Sequence, residues 1–276
     1  MRSTRGSTVD NRQNRLPSAV VRRTSLLIVL LAVAVGLSGV ALAATHGAAR
    51  ASCTVTPKQG WTSCPHGNLA GRNLKRADLR NANLAFANLT RAKLTQADLA
   101  TANLSHAKLK RARLDNANLP FASLAGVVSP EATFARATMN GANLAHANLA
   151  GANLVRVNLQ GASLVGANLS HANLAFANLA GANLAGANLA GANLNTAAMV
   201  GTNLSHANLR RAVLANGTLS GAYMIEANLS GANLKGATVM GADLSNAKLA
   251  GAKLENVGWY GTICPNRRPT RTHCGH

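Results

Sequence analysis

Acidic side chains are scarce in this chain, with eight Asp and Glu against 28 Lys and Arg in 276 residues and a formal net charge of +20. Aromatic residues are as rare, at two Trp, two Tyr and four Phe. Each shortage removes a class of function. Beyond residue 44 the acids are Asp78, Asp98, Asp115, Glu131, Glu226, Asp243 and Glu255, too dispersed for a nucleophile, histidine and carboxylate set. No catalytic residue and no cofactor is therefore assigned. Tyr223 is the one Trp or Tyr between residues 67 and 256, which leaves no platform for stacking nucleic-acid bases. Threonine is sparse in the central region (Thr196, Thr202), which argues against an ice-binding face.

What the chain has is repetition. Leucine recurs every fifth residue from Leu69 to Leu254 and fills 32 of 38 slots, the others holding Ser129, Phe134, Met139, Met199, Met224 and Val239. Alanine stands two places earlier in nearly every unit, as in Ala182-Asn183-Leu184-Ala185-Gly186. Steps of five advance roughly 500° on an α-helix and scatter the leucines around it. On a straight strand an odd step alternates faces. A corner in each unit resolves both problems. Ala and Leu, two apart, then share the inner face of a short extended side, and the next two residues make the bend. Four sides close a coil of twenty residues, and coils stack at about the β-strand spacing of 4.8 Å. Asn or Asp precedes the Leu slot in 23 of 38 units, where a short side chain can bond local turn backbone. Glycine recurs at the second corner residue (Gly71, Gly151, Gly181, Gly191, Gly201), where a positive φ would cost a larger residue more.

On these units the chain resembles the pentapeptide-repeat proteins, whose unit is A(D/N)LXX. The resemblance covers 67–256 and implies an all-β fold, a right-handed quadrilateral β-helix of about nine and a half coils. It says little about function, because the family is diverse. Its best-known activity, protecting type II topoisomerases by mimicking duplex DNA, rests on a negative surface and a cytoplasmic location. This chain is basic and carries an export-like leader.

Residues 1–25 hold six arginines, among them Arg22 and Arg23, and an apolar run follows at 26–44. Ala41-Leu42-Ala43 has the small-x-small pattern of a signal-peptidase site. The run also suits an uncleaved single membrane-anchor helix, being just long enough to span with its positive flank inside. Arg22-Arg23 faintly resembles a twin-arginine export signal, from which Ser25 departs. Either reading exports the repeats to the cell envelope or the medium.

All four cysteines lie outside the repeats, Cys53 and Cys64 before them, Cys264 and Cys274 after. A rod of roughly 45 Å separates the ends, and a disulfide needs Cα atoms within about 7 Å. The expected pairs are therefore Cys53–Cys64 and Cys264–Cys274, which close an N-terminal cap at 45–66 and a C-terminal cap at 257–276. Zinc is excluded by the spacing, and no metal is assigned. Trp61 and the Trp259-Tyr260 pair accompany the cysteine loops, and these aromatics are expected to plug the open ends of the coil stack.

Charge is concentrated early. Arg72, Lys75, Arg76, Arg80, Arg91, Lys93, Lys108, Lys110, Arg111 and Arg113 fall in the first coils, while no charged residue occurs from Val157 to Leu209. Residues twenty apart stack, so Lys93 lies under Arg113 and Arg91 under Arg111, and such like charges favour an anionic counterpart. These ten form a candidate anion-binding site for an envelope polymer or lipid headgroups. The Ala-, Asn-, Ser- and Gly-rich stretch 141–209, with almost no charge, is the alternative, a docking face for a protein partner. His106, His146 and His206 share one edge, about 10 and 14 Å apart, too far for a common metal ion. Val127-Val128-Ser129-Pro130-Glu131 breaks the pattern and is expected to form a bulge or outward loop, with Phe134 filling space left by Ser129. Arg72 occupies an inward slot of the second unit, where an open first coil lets its guanidinium reach solvent. The reading is a non-enzymatic exported scaffold.

Overall fold

The computed structural model describes residues 54–56, 61–270 and 272–274. The 1–25 and 26–44 segments and Cys53 lie outside the described residues, and among the described residues no helix is long and apolar enough to cross a membrane.

Each pentapeptide forms one side and one corner. The residue before each Leu slot bridges in parallel to the residue twenty positions later, beginning with Ser63↔Asn83 and Asn68↔Asn88 and continuing to Asp243↔Ile263. A turn of the coil is thus twenty residues with four sides. The inward Ala and Leu slots are closed to solvent through the middle of the stack, for example Ala107, Leu109, Ala182 and Leu184, all 0–1% exposed. The sides are so short that the coil is held by pairing between turns. Leu104 N donates to Ser123 O (2.7 Å), His106 N to Ala125 O (2.8 Å), and Asn103 N back to Ala82 O (2.8 Å). Ala107 N closes the corner on Leu104 O (2.9 Å), a β-turn whose third residue has positive φ, as a type II turn requires. Glycine satisfies that demand at Gly181 (φ +65°), but His106, Arg111 and Phe121 also occupy it at φ 55–58°.

Asparagine acts twice. Asn168 Oδ1 accepts from Ser170 N (3.1 Å), the local bond foreseen from its residue type. It also joins a ladder along one side, accepting from Asn188 Nδ2 (3.3 Å) while its own Nδ2 donates to Asn148 Oδ1 (3.4 Å).

The 127–131 segment corrects an expectation. There is neither bulge nor loop: Lys108↔Val128 and Val128↔Asn148 keep register, and Val127 and Ser129 are fully buried. Ser129 Oγ donates to Asn148 O (3.1 Å), so its hydroxyl is satisfied inside. Among the described residues no first-corner N–H donates to another backbone group, so Pro130, like Pro65 and Pro120 at equivalent positions, removes nothing from the ladder. Phe134 fills the next Leu slot and is fully buried.

The ladder runs on into short hairpins. At one end β1 (Thr54–Thr56) pairs antiparallel with β2 (Trp61–Ser63). At the other, β3 (Thr262–Ile263) pairs with β4 (Pro269–Thr270), and Cys264–Cys274 closes the loop at a Cα separation of 5.3 Å. Cys64 is buried and disulfide-bonded; its expected partner Cys53 lies outside the described residues. Trp259 takes the next leucine slot and is 4% exposed against the last coil, as a plug would be. Tyr260 does not share that role. It falls on the following corner, points outward and is 64% exposed.

Candidate anion-binding face

Stacking at twenty residues sorts every outward residue into one of eight columns: four sides and four corners. We name them by members. In order around the coil they are the Asn68 side, the Gly71 corner (residues 70/71, 90/91 and so on), the Lys93 side, the Arg76 corner, the Asp78 side, the Asn81 corner, the Asn83 side and the His66 corner.

The ten basic residues singled out from the sequence are all exposed. Eight of them converge on the Lys93 side and the corners that flank it. Lys93 and Arg113 bridge directly on that side. Arg91, Lys110 and Arg111 line one flanking corner, and Lys75 and Arg76 the other. Arg72, in its inward slot, is exposed as the open first coil allows. Lys108 lies one side away. Arg80 stands apart: it occupies the Asn81 corner and is held by Asp78, donating from Nε to Oδ1 (2.9 Å) and from Nη2 to Oδ2 (2.7 Å). That donation holds the Asp78 carboxyl below its ordinary value. Arg111 Nε likewise donates to Glu131 Oε2 (2.7 Å) in the coil above, which lowers the Glu131 pKa. Both pairs are exposed and so contribute little stability.

The columns show an order that runs around the rod as well as along it. Residues 67–256 contain 17 Lys and Arg, and 16 of them fall on the half made of the Asn68 side, the Gly71 corner, the Lys93 side and the Arg76 corner. With Asp115, Glu131 and Glu255 that half carries +13; the other half, with Arg80 against Asp78, Asp98, Glu226 and Asp243, carries −3. Arg136, Arg156, Arg210, Arg211, Lys235, Lys248 and Lys253 belong to the basic half and were missed by reading charge along the chain alone. Wrapping the sequence at twenty would have found them. Arg156 is held over the Phe176 ring, 5.5 Å from its centroid.

The same half carries open notches. Ala70, Gly71, Thr90, Arg91, Lys110 and Arg111 line one of about 470 Å³ on the Gly71 corner. His171, Ala190, Gly191, Arg210 and Arg211 line another of about 360 Å³ farther along that corner.

The opposite half is neutral to acidic and partly apolar. Phe121 (66% exposed), Val200, Met240 and Tyr260 lie along the Asn81 corner, with Tyr223 on the adjoining side. The histidines of the His66 corner are exposed. His66, Phe86 and His106 stack with ring centroids 4.9 and 5.0 Å apart, and His206 Nδ1 lies 3.2 Å from Glu226 Oε2. His171 stands on the neighbouring corner.

The family described as pentapeptide repeats, with eight copies, matches residues 68–99, 97–128, 131–166, 167–205, 202–239 and 222–257. Among solved structures the chain is similar to HetL, a pentapeptide repeat protein involved in heterocyst differentiation regulation from the cyanobacterium Nostoc sp. strain PCC 7120. The identity is 34% over 72% of this chain and 92% of that one, with a TM-score of 0.37. It is also similar to Rfr23 from the cyanobacterium Cyanothece 51142, 40% identical over 31% of this chain and 58% of that one, TM-score 0.31. A thylakoid-lumen pentapeptide repeat protein of Arabidopsis thaliana is 28% identical over 36% of this chain and 69% of that one, TM-score 0.21. No curated protein matches the chain.

Proposed function

The chain belongs to the pentapeptide-repeat family, whose members are generally non-catalytic scaffolds, and from that premise we propose that it is an exported scaffold that holds an anionic cell-envelope component against its basic half. The right-handed quadrilateral β-helix of the family supplies the rigid frame. The N-terminal segment supplies export, by a cleaved signal or a retained anchor at 26–44. One observation carries the reading: a charge of +13 on one half of the solenoid against −3 on the other. Solubility alone is served by charge of either sign spread on every side. A one-sided field draws a counter-ion to that side and raises its local concentration. The ligand class is a polymer or lipid headgroup bearing phosphate or carboxylate.

The test is retention on envelope material from the producing cell. Wild type should bind at low salt and be released by a few hundred millimolar. Neutralising Arg91, Lys93, Arg111 and Arg113 to serine should abolish retention. A transposed variant separates sidedness from net charge. Arg91→Thr and Lys110→Ala combined with Ala100→Lys and Thr101→Arg move two cations from the Gly71 corner to the opposite half at constant total charge. This variant should also lose most of its retention; full retention would overturn the reading.

A second reading draws on the exposed apolar residues of the Asn81 corner. In it, a membrane-anchored chain docks a protein partner on its neutral half. Retention that ignores salt and is lost only on changing Phe121, Val200 and Met240 to serine would favour it.

A further inference from the structure

The two notches on the Gly71 corner are built alike. In the first, Gly71 opens the lowest level, Arg91 stands one coil above, and Lys110 and Arg111 two coils above. In the second, His171 forms the lowest level with its ring leaning over Gly191 in the middle, and Arg210 and Arg211 close the top. In each, a pair of adjacent cations, Lys110-Arg111 or Arg210-Arg211, occupies the same corner position of the coil above a glycine, bare at Gly71 and covered by the His171 ring at Gly191. Those pairs are 100 residues apart, hence five coils, or about 24 Å along one straight corner. Among the described residues neither Arg91, Lys110, Arg210 nor Arg211 has a carboxylate within ion-pair distance, whereas Arg111 has Glu131.

The stretch between them is low. Pro130, Ala150, Gly151 and Ser170 occupy the intervening corners, and a Cβ built on Gly151 would meet nothing within 4 Å. Glu131 is the one charge there. A chain lying along the corner from Lys110-Arg111 to Arg210-Arg211 passes two larger side chains, Glu131 and the His171 ring.

We propose that the two notches are matched cradles which grip a single linear polymer with repeating phosphate groups, lying parallel to the rod axis. The inference rests on the anionic reading given above and sharpens it to a polymer class, a site and a direction. Phosphate fits better than carboxylate. Guanidinium and ammonium groups reach each notch from two coil levels in the first and from adjacent corner residues in the second, and a tetrahedral anion has oxygens to accept from several directions at once, where a planar carboxylate has two. One cradle alone gives weak, salt-sensitive binding. Two on one ligand make the second contact intramolecular, which raises affinity by roughly 10²–10⁴ without a new contact.

The test uses the full chain and two inorganic probes in calorimetric titrations at low salt. Tripolyphosphate fills one cradle; a polyphosphate chain long enough to reach across ~24 Å fills both. Wild type should bind two equivalents of the short probe and one of the long, the long at least about 10²-fold tighter. Arg210→Ser with Arg211→Ser should halve the short-probe stoichiometry and bring the long probe down to short-probe affinity. Arg91→Ser with Lys110→Ser should do the same from the other end. Equal affinity for both probes, or long-probe binding indifferent to Arg210→Ser/Arg211→Ser, overturns the two-cradle inference and leaves the anionic reading standing. Tighter binding of a carboxylate polymer of equal length overturns the phosphate assignment. Failure of every anionic probe to bind wild type removes the anionic reading itself.

Discussion

Gly217 occupies an inward slot that the repeat fills with alanine, and its φ lies outside the left-handed region, so nothing in the backbone requires glycine. A Cβ there would stand 3.1 Å from the Leu214 carbonyl oxygen and 3.2 Å from Met199 Cε. The carbonyl contact belongs to the corner turn, in which Gly217 N donates to Leu214 O (3.1 Å) as each inward alanine donates to its own leucine. The methionine contact is particular to this site. Met199 replaces leucine one coil below, and its longer side chain reaches into the space a methyl at 217 would take. Gly217→Ala would gain about 0.4–1 kcal/mol from a stiffer unfolded chain and about 0.8 kcal/mol from burying a methyl. Against that, forcing Met199 aside in a closed core costs about 1–3 kcal/mol. The single change should therefore destabilise by roughly 0.5 kcal/mol, and by no more than about 2 kcal/mol. Met199→Leu withdraws Cε and leaves a methyl-sized void, again about 1 kcal/mol. The double variant restores the regular Ala and Leu and should return to wild-type stability or slightly above, a coupling of about 1–2 kcal/mol. Urea titrations of the four proteins by circular dichroism, analysed with a common slope, measure it. Additivity within about 0.5 kcal/mol would refute the claim that side chains in successive coils are fitted to each other.

Glycines at the second corner should separate into two groups. Gly181→Ala meets open space and costs only left-handed strain, about 1 kcal/mol, whereas Gly126→Ala puts a Cβ 2.5 Å from His106 Nδ1 and should cost more, the excess disappearing in a His106→Ala background when both are compared by urea midpoint. Trp259→Ala should lose about 3–5 kcal/mol of stability by thermal or urea unfolding and expose the last leucine layer, giving concentration-dependent end-to-end association in sedimentation. Glu131 competes with any anion for Arg111, so Glu131→Gln should tighten polyphosphate binding and leave the number of bound chains unchanged, as calorimetry would show. The Arg111 guanidinium holds the Glu131 pKa below its ordinary 4.5, so the stability this pair gives is fully present above that value and lost as pH falls through the lower folded value; the small Tm difference between wild type and Glu131→Gln at about pH 6 should shrink and vanish on acidification through that value.

Much of this fold was legible because one period sets one property. A leucine every fifth residue cannot share a face on helix or strand, so a corner was forced, and Ala182 and Leu184 lie inside together. Trp259 falling in frame with the leucines marked it as a plug, and the distance between the ends dictated the Cys264–Cys274 pair. The misreadings have local causes. Ser129 looked like a break because its polarity was weighed without the Asn148 carbonyl waiting in the next coil. Pro130 looked disruptive because the sequence does not reveal that a first-corner N–H has no backbone partner to lose. Tyr260 was grouped with Trp259, although one residue further along the coil is outside and not in. The asparagine ladder 148–168–188–208 and the Arg210-Arg211 cradle share one reason for being missed. Each is a relation between residues in successive or distant turns, and reading along the chain compares only neighbours.

Two periods in this sequence therefore constrain different things. The period of five selects inside from outside and tolerates little: Met199 and Thr202 enter the inner slots only with Gly217 left empty or a hydroxyl bonded to Leu179 O (2.9 Å). The period of twenty decides which outward residues become neighbours, and folding constrains it sterically, as where Gly126 leaves room for the His106 ring of the coil below, but makes no demand on where charge falls. Sidedness at that second period is then not a by-product of packing. A solenoid obliged only to fold and stay soluble would scatter its 17 cations over all four sides; placing 16 of them on one half needs a reason outside the core. Like charges stacked at about 4.8 Å repel, so the arrangement costs folding energy in the free protein, a cost that the proposed anion lying across the coils would offset. Cost without a ligand and gain with one is what distinguishes a binding face from a soluble surface.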